Sequence, residues 1–157
     1  MRKIARGSSL KPNIRPARKE DFDALLDLEN ICFKEENFHR KQMEYLLFEA
    51  KSIVLVASIE NNIVASIIVL IRNNISHARI YSLNVHPDYR RRGIAGLLMD
   101  TAEKSLKERG FKRISLEVGV NNKAAQGLYR SKGFSVDKIM KKYYKNGDDA
   151  MHLIKEL

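Results

Sequence analysis

A chain of 157 residues, 44% hydrophobic and 31% charged, is long enough for one domain with a real core and is expected to be a soluble globular protein. No apolar run approaches the roughly 20 residues of a membrane span. Residues 1–6 lack an apolar signal core, so neither a membrane partner nor a secretory leader is expected. The single cysteine, Cys32, leaves no internal disulfide and no Cys-based zinc cage, which fits a reducing cytoplasm.

The net charge of +10 is unevenly spread. Residues 1–19 hold seven basic side chains and no acid, so the remainder has 22 basic against 19 acidic groups, a net of +3. Residues 1–12, punctuated by Gly7, Ser8, Ser9 and Pro12, are expected to form a flexible basic arm, with a single domain over 13–157. Such an arm can touch ribosome or RNA through counterion release, although a solvated tail is the commoner outcome of the same composition.

A short first strand is predicted over 14–17. Phe22, Leu25, Leu26, Leu28 and Cys32 recur at helical spacing over 19–32. A polar break at 34–37 precedes a second helix over 40–50, with Met43, Leu46, Leu47 and Ala50 on one side. Two β-rich stretches, 52–59 and 63–72, flank Glu60-Asn61-Asn62 as a hairpin. The next strand, 78–85, leads into a long helix over 93–109, with an apolar stripe of Ile94, Leu97, Leu98, Ala102 and Leu106 and a Gly110 stop. A strand over 113–118, a helix over 122–131, and strands over 134–143 and 150–156 joined at Asn146-Gly147-Asp148 complete the chain. The order β-α-α-β-β-β-α-β-α-β-β indicates a mixed α/β (α+β) sheet with helices on both faces.

One junction carries chemistry. The strand ending at Val85 meets a Pro87-Asp88 turn, then Arg90, Arg91 and Arg92, then Gly93-Ile94-Ala95-Gly96 at a helix start. The first turn of a helix leaves its N–H groups without intrahelical partners, and the macrodipole adds about half a positive charge there. Glycine permits close approach of a ligand to main chain, and arginine can fork onto phosphate oxygens. A diphosphate is therefore the expected ligand. Neither the Walker pattern nor Gly-x-Gly-x-x-Gly can be completed here. A strand–turn–helix corner with a merely solvated arginine turn is the plainer alternative.

Arg90-x-x-Gly93-x-Ala95, preceded by Val85-His86-Pro87, resembles the acetyl-CoA signature of the GNAT superfamily of N-acetyltransferases. A second block is similar to the RimI-like N-terminal acetyltransferases: Leu116-Glu117-Val118, Asn121-Asn122, Ala124-Ala125, Leu128-Tyr129 and Gly133-Phe134. The ending Tyr143-Tyr144 with Gly147-Asp148-Asp149-Ala150-Met151 is similar to their closing hairpin, so the resemblance covers roughly 13–157. It implies a GNAT-like, mostly antiparallel sheet of about seven strands. Acetyl-CoA is implied as cosubstrate and an amine, most simply a protein N-terminus, as acceptor.

Carried over residue by residue, the resemblance assigns Leu83, Asn84 and Val85 to the pantetheine and thioester, with the Val85 N–H as oxyanion donor. Arg90 belongs to the signature, Arg91 through Gly96 (Arg91, Arg92, Gly93, Ile94, Ala95, Gly96) form the phosphate turn, and Asn122 touches the cofactor. Tyr129 takes the place of the general acid; a phenol, with a reference pKa near 10, is protonated at neutral pH. Glu117 is the candidate base, directly or through water, on the strand face opposite Leu116 and Val118. Burial could lift such a carboxyl toward the useful range. A packed aromatic, an ordinary strand glutamate and catalysis without a side-chain base are the plain counterparts of these roles.

Magnitudes favour an α-amine. At pH 7 about one in ten peptide α-amines is neutral, against fewer than about one in a thousand lysines. Three departures from the pattern bear on the acceptor or the loop. Gly119 stands where RimI-like proteins usually have arginine, Ala95 stands at a glycine-type position, and residues 33–38 lack the Pro-Trp or Pro-Glu pattern of the acceptor loop. Tyr143 and Tyr144 are candidates for its wall. His39, His77, His86 and His152 have no metal-ligand spacing, so no metal is expected; His86 reads as structural and Cys32 as core. Transfer to a small amine or a lysine, and a non-catalytic CoA-binding or RNA-associated module, remain the competing readings.

Overall fold

Residues 11–32, 40–71 and 76–157 are described by the computed structural model. Residues 1–10 of the expected basic arm (1–12), the acceptor-loop residues 33–38 and His39 lie outside them. In chain order the elements are β1 (Asn13–Pro16), α1 (Phe22–Cys32), α2 (Arg40–Glu44), β2 (Ser52–Ile59), β3 (Asn62–Ile71), β4 (His77–Val85), α3 (Ile94–Glu108), β5 (Arg113–Gly119), α4 (Lys123–Ser131), β6 (Ser135–Met140) and β7 (Ala150–Glu156). The seven strands form one sheet in the order β1-β2-β3-β4-β5-β7-β6. Every neighbouring pair is antiparallel except β4 and β5, which run parallel. This is the expected fold.

Strands β2 and β3 are nearly continuous apolar runs because both faces of the sheet are covered. Ile53, Leu55, Ala57 and Ile59 pack with Leu98, Met99, Ala102 and Leu106 of α3. Val56 turns the other way, to Phe22 and Leu25 of α1 and Met43 of α2. The period of two thus divides the core between two helical layers.

Two predicted elements end early, each for a local reason. The second helix leaves α geometry after Glu44 and continues as a π turn over Tyr45–Glu49. Ala50 N–H donates to the Tyr45 carbonyl (2.7 Å), while the Leu46 carbonyl, its α-helical acceptor, takes the Ser52 hydroxyl (2.8 Å). Strand β6 stops at Met140 instead of 143. Lys142 has φ +51°, and its N–H donates to the Asp149 carboxylate (2.9 Å), which pulls the chain into the Asn146-Gly147-Asp148 turn.

Candidate active site

The opening between β4 and β5 organises the site. Only His77, Ala78 and Arg79 pair with Arg113, Ile114 and Ser115; beyond them the strands part, although each keeps its other neighbour. A bulge in the β3–β4 ladder leaves Tyr81 without an opposite residue. Its effect is a change of parity. Ala78 and Ile80 face the α3 layer before it, Leu83 and Val85 face that layer after it, and Ser82 and Asn84 turn toward α1.

Main-chain direction follows from the register. His86 N–H donates to Val64 of β3 (2.8 Å), and successive N–H groups on a strand point to opposite edges. The N–H groups of Leu83 and Val85 therefore face the opening. They can serve a carbonyl oxygen as it gains charge.

The β4–α3 turn has the features that suit an anion. His86 accepts the Asp88 N–H at Nδ1 (3.1 Å) and lies edge-on to buried Tyr89, so its role is structural, as expected. Arg91 adopts φ +64° and Gly93 φ +76°, two left-handed residues within three positions. Ile94, Ala95 and Gly96 then open α3, whose first described intrahelical bond is Leu97 N–H to Gly93 O (3.1 Å). Space beside Gly93 is open, so its conformation rather than crowding demands glycine. Gly96 answers to a neighbour: a Cβ there would lie 3.0 Å from Cε of Lys132.

The arginines divide. All three are exposed, but Arg90 Nε donates back to the Val85 carbonyl (3.0 Å), while Arg92 lies beside the Tyr89 ring (5.3 Å). Lys132 adds a cation over the first turn of α3, held by Asp100 (3.1 Å). Spacing gave no sign of it, since Lys132 reaches the turn only through the α4 cap.

Tyr129 packs with the α3-side core and meets Phe134 edge-on at 5.9 Å. Phe134 N–H bonds to Tyr129 O and Gly133 N–H to Arg130 O, each at 3.0 Å, with Gly133 at φ +94°. This Schellman cap is the physical content of the Gly-Phe pair in the sequence block. Burial, and secondarily Tyr144, push the Tyr129 hydroxyl up to about 12. It is protonated at neutral pH and has no hydrogen-bond partner among the described residues.

Glu117 lies on the opposite face of β5, buried but not in apolar surroundings. Oε1 accepts Arg79 Nε (2.6 Å) and lies 3.4 Å from Tyr143 Oη; Oε2 lies 2.9 Å from His152 Nδ1. Sequence reasoning missed Arg79 and His152, because strand pairing across β4, β5 and β7 brings them together. The two candidate groups thus flank the opening from opposite sides. Tyr143 and Tyr144, edge to face at 5.1 Å, span them, and Tyr144 lies 3.7 Å from where a Cβ on Gly119 would be.

Asn122 caps α4, its Oδ1 accepting Ala125 N–H (3.2 Å), which leaves its amide N–H groups for a ligand. Burial pushes the Cys32 thiol up, so it is a poor nucleophile. Among the described residues no group of three or more His, Cys, Asp or Glu could hold a metal, and no helix is long and apolar enough to cross a membrane.

Residues 22–134 match the acetyltransferase (GNAT) family. The chain belongs to that family. It is an acyltransferase, and enzymes of the GNAT family use acetyl-CoA. The N-alpha-acetyltransferase of Saccharolobus solfataricus is 30% identical over 155 residues, covering 92% of each protein. The crystal structure of the ribosomal-protein-S18-alanine N-acetyltransferase from Escherichia coli shares the fold at TM-score 0.84 and 24% identity, over 93% of this chain and 94% of that one. The NatC complex bound to Gag peptide and CoA includes a similar chain (27% identity, TM-score 0.80, 94% and 99% covered).

Proposed function

We propose that this GNAT protein transfers the acetyl group of acetyl-CoA to the α-amino group of a protein N-terminus, through a single catalytic domain over 13–157. One observation carries the reading: two strands part beside a helix N-terminus, and a phenol with no hydrogen-bond partner among the described residues and a buried carboxylate flank the opening. The Saccharolobus solfataricus relative supports the acceptor class, since it is an N-alpha-acetyltransferase by name.

The diphosphate of acetyl-CoA lies on the N–H groups of Ile94, Ala95 and Gly96, with Arg91, Arg92 and Lys132 as its cations. The pantetheine adds to the open edge of β4 along Leu83–Val85, and an Asn122 amide N–H bonds to it. Glu117 takes one proton from the incoming ammonium. The nitrogen lone pair forms the C–N bond while the carbonyl electrons move onto oxygen, where the Val85 N–H receives them. Collapse breaks the C–S bond, the Tyr129 proton goes to sulfur, and the second proton of the nitrogen restores the phenol. The net yield is amide, free thiol and one proton.

A steady-state thiol-release assay over peptides with free α-amines, N-blocked lysine peptides and small amines tests the proposal. Turnover is expected with the first group. Equal turnover with small amines would leave the enzyme class intact and remove the protein N-terminus as its acceptor.

A further inference from the structure

Glu117 does not stand alone, and the residue on its far side has no part in the chemistry described so far. His152 of β7 is directly opposite Glu117 in the β5–β7 register. Its Nδ1 lies 2.9 Å from Glu117 Oε2 and its Nε2 lies 3.9 Å from Asp137 Oδ2 on β6. The ring is largely buried between them. On the other oxygen a closed triangle is complete: Arg79 Nε donates to Oε1, Arg79 Nη2 donates to Tyr143 Oη, and that hydroxyl faces Oε1.

Lone-pair counting shows what this means. A carboxylate offers about four acceptor positions. Arg79 and Tyr143 occupy those of Oε1, and His152 occupies one on Oε2. A single lone pair on Oε2 is left for an amine proton, beside the imidazole.

We propose that His152 is the positioning residue of Glu117, and that its protonation state decides whether Glu117 can act as base. This rests on the reading of Glu117 as base. A neutral ring donating from Nδ1 fixes the orientation of Oε2 and adds no net charge. A protonated ring places a second full cation on a carboxylate that Arg79 already pairs, and that disfavours taking a proton from an ammonium. The charged groups facing the ring are Glu117 from β5, Asp137 and the cross-strand Lys138 from β6, and, through Glu117, Arg79 from β4. Two anions and two cations surround it, so the ring's own proton is the unbalanced charge.

The test is the pH profile of kcat/KM for acetyl transfer to a peptide between pH 5 and 9, for the parent, His152→Asn and His152→Ala, each also in a Glu117→Gln background. Because Glu117 itself takes the ammonium proton, only the ring must lose a proton beforehand, and on the acid side of the profile the parent's log kcat/KM rises with a slope near 1. His152→Asn keeps a donor for Oε2 but cannot titrate. Its profile is flat there, so it gains on the parent by roughly tenfold per pH unit. His152→Ala is expected to lower kcat about tenfold at pH 8, with an unchanged KM for acetyl-CoA. In the Glu117→Gln background neither substitution changes the rate further.

An acid-side slope near 1 that persists in His152→Asn overturns the proposal. So does a His152→Ala penalty of the same size with or without Glu117. If Glu117→Gln alone keeps full turnover, Glu117 is not the base, and the role of His152 falls with it.

Discussion

Arg90 Nε donates to the carbonyl of Val85 across 3.0 Å, which ties the first arginine of the triplet to the end of β4 rather than to the proposed phosphate turn. Its neighbours behave differently. Arg91 and Arg92, exposed like Arg90, make no such main-chain bond among the described residues and stand at the proposed phosphate turn.

Arg90→Ala is therefore expected to cost about 1 kcal/mol of stability, the usual contribution of one such hydrogen bond, and to lower kcat more than acetyl-CoA affinity. Arg91→Ala and Arg92→Ala should each weaken acetyl-CoA about two- to fivefold, the range of exposed charge pairs, and less so at high salt. Calorimetry at two salt concentrations, with thermal melts, separates the two patterns.

Gly93 opens α3 at φ +76° with free space where a Cβ would go. Gly93→Ala meets no clash, so its penalty is conformational, about 1–2 kcal/mol. The expected result is a folded protein that binds acetyl-CoA more weakly by calorimetry, because the turn relaxes away from the left-handed geometry. Gly96→Ala works differently. It presses on the flexible end of Lys132, and the measured loss should be smaller.

Tyr129→Phe should lower kcat by roughly ten- to ten-thousandfold, the range for a lost general acid, with nearly unchanged acetyl-CoA affinity. The Schellman cap is main-chain, so fold and packing against Phe134 survive the change. Rapid-quench measurement of the acetyl-transfer step checks this directly. An unaltered step would remove Tyr129 from the chemistry.

Much of this site was legible in the chain. The glycine and arginine positions, Asn122, Tyr129 and Glu117 lie within single stretches whose local structure the residues dictate. Arg79, Lys132 and His152 were not legible for a different reason. They come from three separate elements, and only strand register and a helix cap bring them to Glu117 and Gly96. The Tyr81 bulge was equally hidden, since β-leaning composition continues through it while the faces exchange. The surroundings of Glu117 also differ from an apolar pocket, because two basic side chains and a phenol share it.

Two carboxyls give opposite responses to pH. Arg15 forks onto Asp21 at 2.7 and 3.0 Å, and that hydrogen-bonded pair holds the Asp21 carboxyl below its ordinary 3.8. Its stabilisation is present above 3.8 and is lost as pH falls through the folded-state value. Glu29 is fully buried, and burial raises its carboxyl above 4.5 despite the Ser82 hydroxyl at 2.7 Å. The native state then binds the proton more tightly than the unfolded chain, so stability falls as pH rises from 4.5 through the folded value. Urea titrations should show Asp21→Asn losing about 1–2 kcal/mol at pH 7 and progressively less as pH falls below 3.8. Glu29→Gln should be at least as stable as the parent at pH 7 and lose its advantage on acidification.

A peptide carrying both a free α-amine and an internal lysine tests the central claim most directly. After incubation with acetyl-CoA at pH 7.5, fragmentation by tandem mass spectrometry locates the added acetyl group. Acetyl on the N-terminal nitrogen, lost in Tyr129→Phe, is the predicted result. Acetyl on the lysine, or none on either nitrogen at saturating acetyl-CoA, would contradict it.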